Sequence, residues 1–114
     1  MIFFGSKTRA IEKMSMGNAK EALAEDGEIC LIDVRNPEEY RSGHIPGSIN
    51  LPLGSMGGIA SVAPELGTRL FIYCLSGGRS ARACSALASM GYTAITDLGG
   101  ITGWTGPLEK GARV

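Results

Sequence analysis

Two short runs constrain this chain more than anything else in it. Glu28 to Val34 reads Glu-Ile-Cys-Leu-Ile-Asp-Val, and Arg69 to Tyr73 reads Arg-Leu-Phe-Ile-Tyr. Neither shows the in–out alternation of a strand with one wet face. Continuous apolar runs of this kind suit strands buried on both sides, as in a parallel sheet covered by helices. The segments between them supply the helices. Ser15 is placed as an N-cap ahead of Asn18 and Lys20 to Ala24, with Gly27 as the stop. Asn36-Pro37 opens a second helix, proline at its first position and Glu38 and Glu39 in the turn where the dipole favours acids; Gly43 ends it. Arg79 to Met90 is the strongest helix, with Ala83, Leu87 and Met90 along one face and Gly91 as its C-cap. Further strands are expected at Arg9 to Met14, in "SINLPL" before Pro52, and from Tyr92 to Asp97. Met56 to Val62 reads as a weak, glycine-interrupted helix and "LGGITGW" as a loop or short helix. Strands alternating with helices predict an α/β fold: a small, mostly parallel sheet of about five strands with helices on both faces.

Composition narrows the class. The 114 residues predict one domain spanning residues 1–114. Eleven basic residues balance eleven acidic ones with no long run of either sign, which argues against nucleic acid as a partner. Three cysteines at irregular spacing and a single histidine suit neither a disulfide framework nor a zinc site; no metal and no cofactor is expected. A reducing, cytoplasmic setting fits that usage. The opening "MIFFGSKTRAIEKM" places its short apolar run ahead of the charges, the reverse of a signal peptide, and no stretch reaches the length of a membrane span. The seventeen glycines cluster partly in pairs, at 57–58, 77–78 and 99–100, which reads as tight turns in a compact fold.

Chemistry concentrates where the second apolar run breaks. Cys74, Leu75, Ser76, Gly77, Gly78 and Arg79 lead from a strand into a helix. Ligands of open parallel sheets bind outside the carboxyl ends of the strands, where both Cys74 and Asp33-Val34-Arg35 fall. Glycines let such a loop curl until its amides point inward, and the helix dipole adds to the resulting anion nest. Arg79 would add a fixed positive charge at the rim. A thiol at the centre would ionise more readily than usual. The loop therefore reads as a cradle for a reactive sulfur anion, against the plainer reading of Cys74 as a small apolar residue at a strand end.

Three motifs then resemble the single-domain rhodanese family, of the thiosulfate sulfurtransferase type, over residues 15–104. "LIDVRNPEEYRSGHIPGSINLPL" resembles its upstream signature, "CLSGGRSARA" its active-site loop and "LGGITGW" its C-terminal signature. The resemblance implies a rhodanese-like fold and a loop of the form Cys-x4-Arg suited to sulfane sulfur. Related phosphatases and arsenate reductases use Cys-x5-Arg; here that position holds Ser80, so the phosphatase reading fails by one residue. A nucleotide-binding P-loop also fails, for want of its lysine and earlier glycine. The implied mechanism is double displacement. Cys74 takes sulfur from a donor such as thiosulfate, and Leu75 to Arg79 hold the persulfide. A thiol or cyanide then accepts it, or a protein acceptor in a relay. A regulatory binding module is the least favoured alternative, since the loop cysteine is kept.

The remaining polar residues have two readings each. His44 is a catalytic partner or, as favoured, an anchor of the turn "GHIPG". Asp33, Arg35 and Glu39 form a substrate clamp or, as favoured, a brace under the loop, with Arg35 also a candidate for the electropositive rim. Arg82 supplements the field or is a solvated surface residue. Trp104 lines a binding surface or packs the last loop. Cys30 is expected in the core, and Cys84 half-buried or a resolving partner for Cys74.

Overall fold

A computed structural model describes residues 11–111. Five strands, β1 (Ile11–Lys13), β2 (Cys30–Asp33), β3 (Ile49–Asn50), β4 (Leu70–Cys74) and β5 (Ile95–Gly100), form one sheet of order β1-β5-β4-β2-β3. Every pairing is parallel. The helices are α1 (Met16–Glu25), α2 (Pro37–Ser42), α3 (Ile59–Val62) and α4 (Gly78–Ser89), with 3-10 turns at Leu53–Gly58 and Ile101–Gly103.

The central strand explains the unbroken apolar run. All five residues of β4 are buried. Leu70, Ile72 and Cys74 join one core with Ile32, Ile59, Ala83, Cys84 and Leu87, under α3 and α4. Phe71 and Tyr73 join the other, with Met16, Ala19, Leu31 and Ile45, under α1. With both faces covered, no alternation is needed. The α/β expectation, with helices on both faces, is met.

Local signals held at the helix starts. Ser15 accepts the Asn18 amide, and Asn36 and Glu39 form a reciprocal capping box at α2. Boundaries moved elsewhere. Helix α1 ends at Glu25, two residues before Gly27, because Asp26 caps it. Strand β5 starts at Ile95; the buried Tyr92 before it spends its hydroxyl on the Ala63 carbonyl. Of the strand expected from Arg9, residues 9 and 10 lie outside the described residues. Among the described residues no helix is long and apolar enough to cross a membrane.

One irregularity shapes the working end. The β4–β5 register runs Ile72↔Asp97 and then Tyr73↔Gly99, so Leu98 is an extra residue in β5. Gly99 absorbs the bulge at φ +76°, and Gly100 is brought alongside Cys74. That close approach needs a glycine. A Cβ on Gly100 would lie 2.3 Å from the Leu75 carbonyl oxygen.

Candidate active site

Cys74 closes β4 and is 1% exposed. Beyond it the chain turns at Gly77, whose φ of +111° a side chain would oppose, and α4 begins at Gly78. The turn brings the Gly77 amide 2.9 Å from the Cys74 sulfur, as donor. The amides of Ser76 and Ser80 and the Ser80 hydroxyl also favour negative charge on that sulfur. Ser80 lies in the first turn of α4, where amides have no partner inside the helix and are free to serve an anion. Burial works against the Cys74 thiolate, but these donors outweigh it and hold the thiol below its ordinary range, the Ser80 hydroxyl contributing most. The loop curls past Cys74 with the Gly77 amide turned toward the sulfur and Leu75 and Ser76 exposed at its lip.

Ser80 and Asp97 were not singled out from the sequence. Ser80 is fully buried, its hydroxyl oxygen 2.8 Å from Asp97 Oδ1 and 3.0 Å from the Gly77 carbonyl oxygen, two acceptors for its single proton. Asp97 Oδ1 also accepts the Gly99 amide at 2.9 Å. One carboxylate thus ties the start of α4 to the bulge of β5. A signal existed: Ser80, Ala83, Cys84 and Leu87 are the buried stripe of α4, and a hydroxyl in such a stripe calls for a partner.

The arginines divide. Arg35 is buried and donates to both oxygens of Asp33, at 2.7 Å for the closest contact, and to the Gly43 carbonyl at 2.6 Å. Asn50 locks the same segment through the Asp33 and Arg35 carbonyls. Asp33 and Arg35 therefore hold each other and the Gly43 and Asn50 segments, and none of these hydrogen bonds reaches the loop from Cys74 to Arg79. Arg79 does stand at the rim, half-buried, but not as a lone charge. Its two terminal nitrogens donate to the two oxygens of Glu39 at 2.7 and 3.0 Å. That fork pulls the Glu39 carboxyl down to about 2 and raises Arg79. The fixed charge expected there comes with a counter-ion that α2 supplies. Arg82 is exposed on α4.

The other residues take plainer roles. His44 stacks on Tyr40 at 3.7 Å, its Nδ1 is 2.8 Å from the Tyr40 carbonyl, and its backbone pairs with Glu109. Among the described residues nothing hydrogen-bonds it to Cys74. Trp104 packs against the α1-side core and donates to the Pro107 carbonyl. Cys30 opens β2 half-buried rather than sitting mid-strand in the core. Cys84 is fully buried rather than half-buried, and burial, with the charges of Asp97 and Cys74, pushes its thiol up to about 12. Among the described residues no three His, Cys, Asp or Glu side chains group as a metal site would require.

A family model described as a rhodanese-like domain matches residues 15–107, which takes in every element from α1 to the last 3-10 turn. The chain belongs to the rhodanese family. Thiosulfate sulfurtransferase PspE of Escherichia coli is 38% identical over 81 residues, covering 70% of this chain and 78% of that protein. The putative sulfur carrier protein YrkF of Bacillus subtilis is 32% identical over 101 residues, or 88% of this chain, which spans only 54% of that longer protein. A solved structure titled rhodanese with anions from E. coli superposes with a TM-score of 0.70 at 37% identity, over 73% of this chain and 99% of the other. The rhodanese family places this chain among the sulfurtransferases.

Proposed function

We propose that this rhodanese carries sulfane sulfur on Cys74. The observation that carries the reading is the Gly77 amide, which donates to the Cys74 sulfur at 2.9 Å where β4 turns into the N-terminus of α4. In the first step the Cys74 thiolate attacks the outer sulfur of thiosulfate. The S–S bond to the sulfonate breaks, its electron pair leaves with sulfite, and Cys74 is left as a persulfide. In the second step a thiolate or cyanide attacks the outer persulfide sulfur, and Cys74 leaves as a thiolate. The amides serve both leaving and attacking sulfur anions, as an oxyanion hole serves oxygen. The scheme uses no general base, and the donors around Cys74 favour the attacking thiolate. Neither cofactor nor metal takes part in this scheme.

A protein acceptor is the second reading. Leu75, next to the sulfur, is a large apolar side chain left 43% exposed at the lip of the cradle. Such a contact suits a docking surface better than a small inorganic acceptor.

Intact-mass measurement tests the scheme. After incubation with thiosulfate the protein should gain the mass of one sulfur atom, lose it to cyanide or a thiol, and gain nothing as Cys74→Ser. Sulfur loading of Cys74→Ser, at Cys30 or Cys84, would overturn the assignment.

A further inference from the structure

The cradle is built for an anion, yet its rim is electrically closed. Arg79 is the only cation contributed by the loop itself, and both of its terminal nitrogens are engaged by Glu39. Of the next cations, Arg35 is balanced by Asp33 in the core, and Arg82 lies outside the loop, exposed to solvent on α4 three residues beyond Arg79. A dianion approaching Cys74 therefore meets hydrogen-bond donors but little net positive charge. We infer that Glu39 is a specificity-determining residue, which cancels the Arg79 charge and so favours sulfur donors carrying little charge, such as an alkyl persulfide, over dianionic thiosulfate. The inference rests on Cys74 as the sulfur-accepting residue.

The geometry gives Glu39 this role separately from its structural one. Its Oε1 also accepts the Asn36 amide at 3.0 Å, and its own amide donates to Asn36 Oδ1. Glutamine serves a capping box as well as glutamate does. Glu39→Gln therefore keeps the start of α2 and a hydrogen bond to Arg79 while removing the negative charge.

The step for the favoured donor balances without further reagents. The Cys74 thiolate attacks the terminal sulfur of R–S–SH. A new S–S bond forms to Cys74, the S–S bond of the donor breaks, and RS⁻ departs with its electron pair while the proton stays on the transferred sulfur. One anion enters and one leaves. With thiosulfate three negative charges must share the transition state, so an uncancelled Arg79 would help that donor most.

A unit charge about 6 Å from the reacting sulfur, screened as in water, changes a rate by about threefold per unit of ligand charge. The experiment compares native protein with Glu39→Gln at low salt, using reagents that differ by one charge. For alkylation of Cys74, the iodoacetate-to-iodoacetamide rate ratio should rise about threefold in Glu39→Gln. For sulfur loading, kcat/KM should rise about tenfold with thiosulfate but only about threefold with methanethiosulfonate, and more salt should erase both gains. Arg79→Gln added to Glu39→Gln should return the ratios to native. Equal changes for both members of each pair, or a fall with the more charged reagent, would overturn the proposal. Native protein gives a further check that needs no variant: its thiosulfate rate should not fall as ionic strength rises, and a steep decline would show Arg79 to be uncancelled. Alkylation reads the charge at Cys74 without any sulfur donor. Failure of both donors to load Cys74, with the alkylation ratios as expected, would strike the sulfur-transfer reading and leave the charge assignment standing.

Discussion

Gly100→Ala isolates how closely the end of β5 supports the sulfur cradle. Gly100 has φ −100° and ψ 145°, which alanine adopts without strain, so the effect is one of space alone. The added methyl would sit 2.3 Å from the Leu75 carbonyl oxygen, 2.9 Å from the Ser76 Cα and 3.0 Å from the Leu75 carbonyl carbon. Relief to ordinary contact requires a displacement of about 1 Å, and all three atoms are backbone. Either β5 or the loop must move. β5 is held by its ladder to β4 and by the Asp97 contacts to Ser80 and Gly99, whereas Leu75 and Ser76 are exposed. The loop should yield. The Gly77 amide, which donates to the sulfur at 2.9 Å, directly follows the displaced Leu75–Ser76 peptide and shifts with it. Misplacement by about 1 Å can cost on the order of a hundredfold in rate. Sulfite release from thiosulfate, followed with time-resolved intact mass, should slow by about that factor. The melting temperature should fall by only a few degrees. Gly54→Ala, where an added methyl meets nothing within 4 Å, is the matched control and should behave as native. A folded Gly100→Ala protein loading sulfur within threefold of native would refute the view that loop amides at their present distances stabilise the sulfur anion.

Ser80→Ala should move the pH profile of Cys74 alkylation to higher pH, because the hydroxyl favours the thiolate; at pH 7 the rate should drop about tenfold, the order of one hydrogen bond to a charged group, and Ser80→Thr should restore most of it. An unmoved profile would leave Ser80 as a strut between α4 and Asp97. His44→Ala should cost about 2 kcal/mol through the lost Tyr40 stack and the void left by a buried ring, a fall in melting temperature of roughly 10 °C, while the folded remainder still forms the persulfide. Loss of sulfur loading in well-folded His44→Ala would instead make the histidine part of the chemistry.

The local sequence determined the elements and the place of the chemistry. Unbroken apolar runs in β2 and β4 announced strands with two covered faces, and caps at Ser15 and Asn36 started α1 and α2 where their side chains can reach free amides. Cys74, the left-handed Gly77 and a following helix are neighbours in sequence, so the cradle was legible as a unit. Contacts between distant segments were not. Glu39 and Arg79 are forty residues apart, and Ser80 and Asp97 seventeen, so their pairing depends on α2 and β5 lying beside the loop in the folded sheet. Gly100 looked like one of a pair of turn glycines; only the Leu98 bulge, which sets it against the Leu75 carbonyl, makes its missing side chain matter. A residue's own chemistry and its near neighbours fix what it can do through short-range backbone preference. Whether Arg79 acts as a free charge or a cancelled one is an electrostatic question, decided by whichever group the tertiary fold brings within about 3 Å.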